Sequence, residues 1–274
     1  MTAPFTPPPT SGRPMQRARG GARAAVSGRR LTGLRQSGSG KVLMPATHGG
    51  PSQAVFINTA GGVTGGDRFD WTLEAADGAH LVGTTQAAER LYRASGDTGR
   101  IQTTLSVGAG ARLDWLPLET ILFDGSATAR RIDVSLEGDA DFMALETIVL
   151  GRAAMGEHLN TLSFTDDWRI RRDGKLVQAE ALRLTGDLAS LRNGPATLEG
   201  IGAFATFLHS GPLAMDRLDA AREALPSTVT AAASAWNGQL VCRLHAADLH
   251  PLRQGIRAFL ERYRGDPLPR VWYM

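Results

Sequence analysis

The sequence predicts a mainly β protein, built of stacked antiparallel or mixed β-sheets, with two helices in the C-terminal third. Three observations carry that prediction. Between Arg100 and Leu150 apolar and polar residues alternate with period two. The 274 residues include 32 glycines and 14 prolines, which calls for many turns between short elements. Helical spacing of apolar residues emerges only after Met215.

Residues 1–15, with Pro4, Pro7, Pro8 and Pro9, read as a disordered extension, and 16–274 as a single β-rich domain. Weak strand character runs from Ala22 to Leu34 and is broken at Gln36-Ser37-Gly38-Ser39-Gly40. Val42-Leu43-Met44 and the apolar run Ala54-Val55-Phe56-Ile57 follow, as in a meander. Ile101, Thr103, Leu105 and Val107 then share one face; Ala111, Leu113 and Trp115 share another, and Ile132, Val134 and Leu136 alternate with Asp133, Ser135 and Glu137. Gly108-Ala109-Gly110, Asp124-Gly125-Ser126 and Glu137-Gly138-Asp139 supply turns, so the middle of the chain reads as packed antiparallel sheet. Further strands are expected at 140–149, 163–171, 175–184 and 197–207, with a hairpin turn at Arg172-Asp173-Gly174-Lys175. Met215, Leu218, Ala221 and Leu225 form a first helical segment, stopped by Pro226. After a strand around 240–244, Leu252, Ile256, Phe259, Leu260 and Tyr263 form one helical stripe, capped by Asp248 and ended by Gly265 and Pro267. The aromatic tail through Trp272 is expected to be ordered, since apolar surface left in solvent is a liability.

One stretch organises the chain. Asn58-Thr59-Ala60-Gly61-Gly62-Val63-Thr64-Gly65-Gly66-Asp67 places four glycines in six positions, which requires positive φ or close approach of another group. A phosphate cradle is excluded. No Lys-Ser/Thr follows the glycines, and Phe69, Trp71 and Leu73 alternate as a strand, so no helix N-terminus faces an anion.

Composition is that of a globular protein, 42% hydrophobic and 21% charged. No apolar run reaches the ~18–20 residues of a membrane span, and no signal-peptide core is evident, which predicts a cytoplasmic protein. The lone Cys242 excludes an internal disulfide and fits a reducing compartment. Eight cations, from Arg13 to Lys41, precede the first acidic residue, Asp67; a formal charge of +3 therefore leaves −5 on the remainder. A basic N-terminal segment suits an acidic partner or nucleic acid, or is simply a solvated tail. Nucleic acid is disfavoured because Phe5 is the only aromatic before Phe56.

The six histidines form no HxH, HExxH or i, i+4 pair, and Cys242 and His245 point to opposite faces of a strand. No GxSxG elbow is present, so nucleophilic catalysis is unsupported and the chain is read as non-catalytic. Carboxylates in apolar or glycine-rich settings remain: Asp67, Glu89, Glu119, Asp124, Glu146, Glu157 and Glu180. Arginines such as Arg90, Arg93, Arg152 or Arg183 could neutralise them. Alternatively they line a polar path that handles a divalent cation weakly through oxygen, which lets the ion leave again. A carboxylate-pair hydrolase using Glu146 and Glu157 is a third reading, with no substrate motif beside it.

Several segments, in order, resemble one family. They are Arg35-Gln36-Ser37-Gly38-Ser39 with Lys41, the loop Asn58–Asp67, Thr85–Arg93, Leu113–Phe123, Glu146–Glu157, Trp168–Gly174 and Leu268-Pro269-Arg270-Val271-Trp272. Together they resemble the urease accessory protein UreD, called UreH in some organisms, from about residue 17 to the end. Thr59-Ala60 and Leu118 depart from the proline and glutamine that the family pattern suggests. The resemblance implies stacked sheets with two helices. It also implies a scaffold that binds apo-urease with UreF and UreG in a 2:2:2 assembly with the latter two. Ni²⁺ would then pass transiently through an interior tunnel to urease, coupled to GTP hydrolysis by UreG, with no tightly bound cofactor. On that footing Asp67, Glu146 and Glu180, and after them Glu89, Glu119 and Glu157, are expected to face the path. The two helices and the Trp272 tail are expected to contact UreF.

Overall fold

The computed structural model describes residues 16–47, 49–151, 159–188, 194 and 197–274. Alternation becomes strand almost everywhere it was expected, and the strands wind between two layers. The first layer contains β1 (Arg19–Ser27), β2 (Arg30–Gly38), β5 (Arg68–Ala76), β8 (Gly99–Val107), β11 (Ala127–Leu136), β13 (Thr161–Arg172) and β14 (Lys175–Asp187). Its order is β2-β1-β5-β8-β11-β13-β14, antiparallel at the two outer pairs and parallel between them. In the second layer lie β3 (Gly40–Leu43), β4 (Ser52–Asn58), β6 (His80–Thr85), β7 (Glu89–Leu91), β9 (Arg112–Trp115), β10 (Thr120–Leu122), β12 (Asp141–Leu150), β15 (Ala203–Ser210), β16 (Thr230–Trp236) and β17 (Gln239–Ala246). β4, β6, β9 and β12 pair in parallel, β7 and β10 extend that ladder, and β15, β17 and β16 add antiparallel strands.

The stacked, mixed sheets agree with expectation, while the antiparallel reading of the middle is corrected to parallel. The reason is physical. A short turn such as Asp77-Gly78 carries the chain from one layer to the other, so a strand pairs with its counterpart one coil later, β5 with β8 and β6 with β9, as in a solenoid. Inward and outward alternation is the same for either direction of pairing. The hairpin at Asp173-Gly174 forms as expected, with φ of 49° and 77° at its two central residues. The strand expected at 197–207 begins only at Ala203, after a turn at 197–200. β16 carried no signal, being largely alanine.

Two cores follow from the layers. Between the sheets, Phe56, Trp71 and Trp115 meet edge-on with ring centroids 5.6 and 5.7 Å apart. On the far face of the second layer lie α1 (Leu218–Ala224), α2 (Leu249–Arg264) and the 3-10 turn Arg270–Tyr273. The α2 stripe of Leu252, Ile256, Phe259, Leu260 and Tyr263 is buried there, each residue contributing roughly 1.5–3 kcal/mol before entropy. Trp272 is buried as well and donates its indole N–H to the Leu116 carbonyl. The stripe and Trp272 are therefore intramolecular core, which leaves the outer faces of the helices for any partner. Asp248 occupies the N-cap position of α2 without a side-chain capping bond, whereas Gly265 closes its end in the left-handed conformation as expected. Among the described residues no helix is long and apolar enough to cross a membrane.

Candidate functional site

The glycine loop is a clamp. Asn58 accepts the Ala60 N–H on Oδ1 and donates from Nδ2 to the Gly62 carbonyl and to both Glu89 oxygens, at 3.1 and 3.3 Å. Val63 exchanges backbone bonds with Arg90 and Tyr92, laying the loop beside β7. At Gly62 (φ 154°) a Cβ would sit 2.6 Å from the Arg90 carbonyl oxygen, and at Gly65 it would overlap the Asp97 carbonyl. Gly61 and Gly66 take positive φ, so all four glycines meet the predicted need. Asp67, buried, accepts the Ala18 N–H at 2.7 Å and the Thr64 N–H at 2.9 Å, so both its oxygens hold backbone in place.

From this loop a seam of polar groups crosses the space between the layers. Glu89 opens it, on the wall of a cavity of about 160 Å³ that also touches Asn58, Gly61 and Trp71. The residue is half-buried but its carboxyl group is enclosed, and loss of hydration pushes its pKa up from 4.5 to about 7 against the Asn58 hydrogen bond. Next comes Arg130 of β11, buried, which forks onto Asp166 with bonds of 3.0 and 2.7 Å and donates to Thr120 at 2.9 Å. Its Nη1 also lies 2.5 Å from Glu146 Oε2 of β12. Burial, with the nearby Asp166 carboxylate, pushes Glu146 up from the ordinary carboxylate range against the pull of Arg130. Two buried carboxylates thus share one guanidinium. Trp168 donates to Asp166 at 3.0 Å, and its strand partner Glu180 reaches across the layers to Arg243, at 2.7 and 2.8 Å, beside Thr206.

Of the expected residues, then, Glu89, Glu146 and Glu180 lie along one inter-layer seam, and Asp67 braces its entrance. Glu119 is buried on the helix side of the second layer, 3.7 Å from Arg253 of α2. Glu157 lies outside the described residues. Arginines do meet several of these acids: Arg93 pairs with Asp124 as expected, while Arg130, Arg243 and Arg253 meet Glu146, Glu180 and Glu119. Arg130 and Asp166 were missed, although each falls in phase with the inward residues of its strand. Among the described residues, no three His, Cys, Asp or Glu side chains come together as a group that could hold a metal ion.

A second ionic cluster secures α2. Asp114 of β9 has no exposed side-chain surface and accepts Arg264 at 2.9 and 2.6 Å and Arg112 at 3.0 and 3.1 Å. Burial opposes its charge, but the hydrogen bond to His80 and the charges of Arg264 and Arg112 hold it well below the ordinary carboxylate range. Nearby, the His209 ring is 2.7 Å from both Tyr263 Oη and Asp141 Oδ1. Tyr263 is fully enclosed, and burial pushes the Cys242 thiol up to about 12, which makes it a poor nucleophile.

Residues 16–273 match the family model described as UreD urease accessory protein. A urease accessory protein UreD of Jannaschia sp. (strain CCS1) is 50% identical over 258 residues, covering 94% of this chain and 96% of that protein. Its counterpart in Rhizobium rhizogenes is 48% identical over 262 residues, with the same two shares. Another, from Rhizobium etli, is 47% identical over 268 residues, 96% of this chain and 97% of that protein. At such identity over nearly the whole of both lengths, the chain belongs to the UreD family of urease accessory proteins, and its role lies in urease maturation.

Proposed function

We propose that this chain is a non-catalytic, cytoplasmic scaffold, a single domain from residue 16 onward, that binds apo-urease together with UreF and UreG in a 2:2:2 assembly with the latter two. Ni²⁺ is its cargo, moved toward the urease active site under GTP hydrolysis by UreG and held only in passing. The observation that carries this reading is Glu146. Its buried carboxylate shares the single Arg130 guanidinium with buried Asp166. Two enclosed acids against one cation leave a negative charge that a second cation would offset. Glu89 stands at the cavity end of the same seam and Glu180 at the far end. Oxygen ligands bind Ni²⁺ less tightly than imidazole or thiolate and so permit onward transfer.

The test is urease activation in a urease-expressing host that lacks this gene, with urease nickel read in parallel. The wild-type chain restores activity and nickel; Glu146→Gln and Glu180→Ala restore less of both while still co-purifying with UreF. Failure of the wild-type chain to restore nickel, with every partner present, overturns the proposal. Full nickel with both variants removes the seam from the path.

A further inference from the structure

The outward face of the first layer carries a row of three cations that make no ion pair among the described residues. Arg19 of β1, Arg68 of β5 and Arg100 of β8 are exposed and stand in direct register across three parallel strands. Among the described residues none of the three side chains has a hydrogen bond or a carboxylate partner. Like charges opposed on neighbouring strands destabilise a sheet, so the row works against the fold. Two other cations on the same face are matched: Arg23 pairs with Glu74 at 2.7 Å and Arg131 with Asp133 at 2.6 Å. The row borders two adjoining hollows. One, of about 610 Å³, is floored by Gly20 and Gly21 and walled by Arg19, Arg35 and Arg68; the next, of about 480 Å³, continues past Arg68 and Arg100 to Arg131, with Asp70 in both and Asp167 in the second, so cations outnumber carboxylates along them. Gly21 keeps the first open, since a Cβ there would meet the Ser37 hydroxyl at 3.0 Å.

We infer that the Arg19–Arg68–Arg100 row is a docking surface for an acidic helix of a partner protein, lying across the strands. This rests on the assembly proposed above. Neighbouring strands are about 4.8 Å apart, so the row spans about 10 Å in the direction in which the hollows adjoin. Carboxylates at i, i+3 and i+4 on a helix repeat about every 5–6 Å, close to that spacing. Same-face residues of an added strand lie nearly 7 Å apart and match it less well. The outward residues of β1, β5, β8, β11 and β13 include no aromatic ring, so the stacking platform of a single-stranded nucleic acid is missing.

The experiment measures binding of the full chain to purified apo-urease, UreF and UreG separately, at about 50 and 300 mM salt, for wild type, R19E/R68E/R100E and R19Q/R68Q/R100Q. The Glu variant loses tenfold or more for one partner, the Gln variant loses less, and the loss shrinks at high salt. The Gln variant melts no lower than wild type, because a self-repelling row has been removed, while the Glu variant, which keeps like charges in register, melts close to wild type. Hydrogen exchange of the wild-type complex protects a helix of that partner. The inference is overturned if all three partners bind the Glu variant within threefold of wild type, if only binding to a 20-nucleotide RNA is lost, or if the protected element is a strand. A wild-type chain that binds none of the three overturns the assembly reading and this inference with it.

Discussion

Replacing Glu89 by Gln separates the cost of an enclosed charge from its use. In the folded chain the Glu89 carboxyl has a pKa of about 7, against an ordinary value of 4.5, because its burial outweighs the hydrogen bond from Asn58. A raised acid pKa means that the folded state binds the proton more tightly than the unfolded state. Stability from this group is therefore fully present below pH 4.5, falls as pH rises toward 7 and stays low above it. The gap corresponds to about 3 kcal/mol, and solvent reaching the cavity wall screens part of it, leaving an expected range of about 1–3 kcal/mol. The amide is neutral at every pH and still accepts from Asn58. Glu89→Gln should thus match wild type near pH 5 and melt about 2–10 °C higher at pH 8. Urea and thermal unfolding at pH 5, 6, 7 and 8 measure this directly. A difference that does not change with pH, or a variant less stable at pH 8, would refute the claim that the carboxyl is enclosed.

Arg130→Met leaves Glu146 and Asp166 buried without their shared cation and should cost about 3–5 kcal/mol at pH 7.5, with partial recovery at pH 5.5 as one acid takes up a proton. Melting curves at the two pH values check this, and equal losses at both would contradict it. Arg264→Met strips the buried Asp114 of one partner while Arg112 stays, for a loss of about 3 kcal/mol. Dye binding to exposed apolar surface should rise well before global unfolding, as α2 loosens. Gly65→Ala drives a methyl group into the Asp97 carbonyl and should cost about 1–3 kcal/mol, whereas Gly110→Ala, with open space around it, pays only for its positive φ. Comparison of the two melting temperatures tests whether close approach or backbone conformation constrains the loop.

Periodicity made the strands and the α2 stripe legible, because alternation and helical spacing each report a buried face. Direction of pairing left no trace. Ile132, Val134 and Leu136 would point inward whether β11 paired with β8 in parallel, as it does, or against it. Arg130 shows a different kind of miss: it lies two residues before Ile132 on the inward face, yet beside Arg131 it reads as part of a surface pair. A charge in phase with a core row deserves to be taken at its phase. Asp114 gave no such signal, since β9 is covered on both faces and both phases are therefore inside. Glu89, Glu146 and Glu180 were legible as acids in apolar settings, but only the tertiary path of the chain puts them on one seam.

The clasp formed by Arg264 and Trp272 bears on how the chain is made. Most ladder pairs join one coil to the next, about 30 residues away, so the winding can advance as the polypeptide emerges from the ribosome. Arg264 meets Asp114 across 150 residues and Trp272 meets Leu116 across 156. Until the segment from α1 to Trp272 has been made, the outer surface of β6, β9 and β12 has no cover, and a nascent chain carries an open apolar wall for most of that time. Only the late helices and the Trp272 turn hide what would otherwise draw the nascent protein into aggregates.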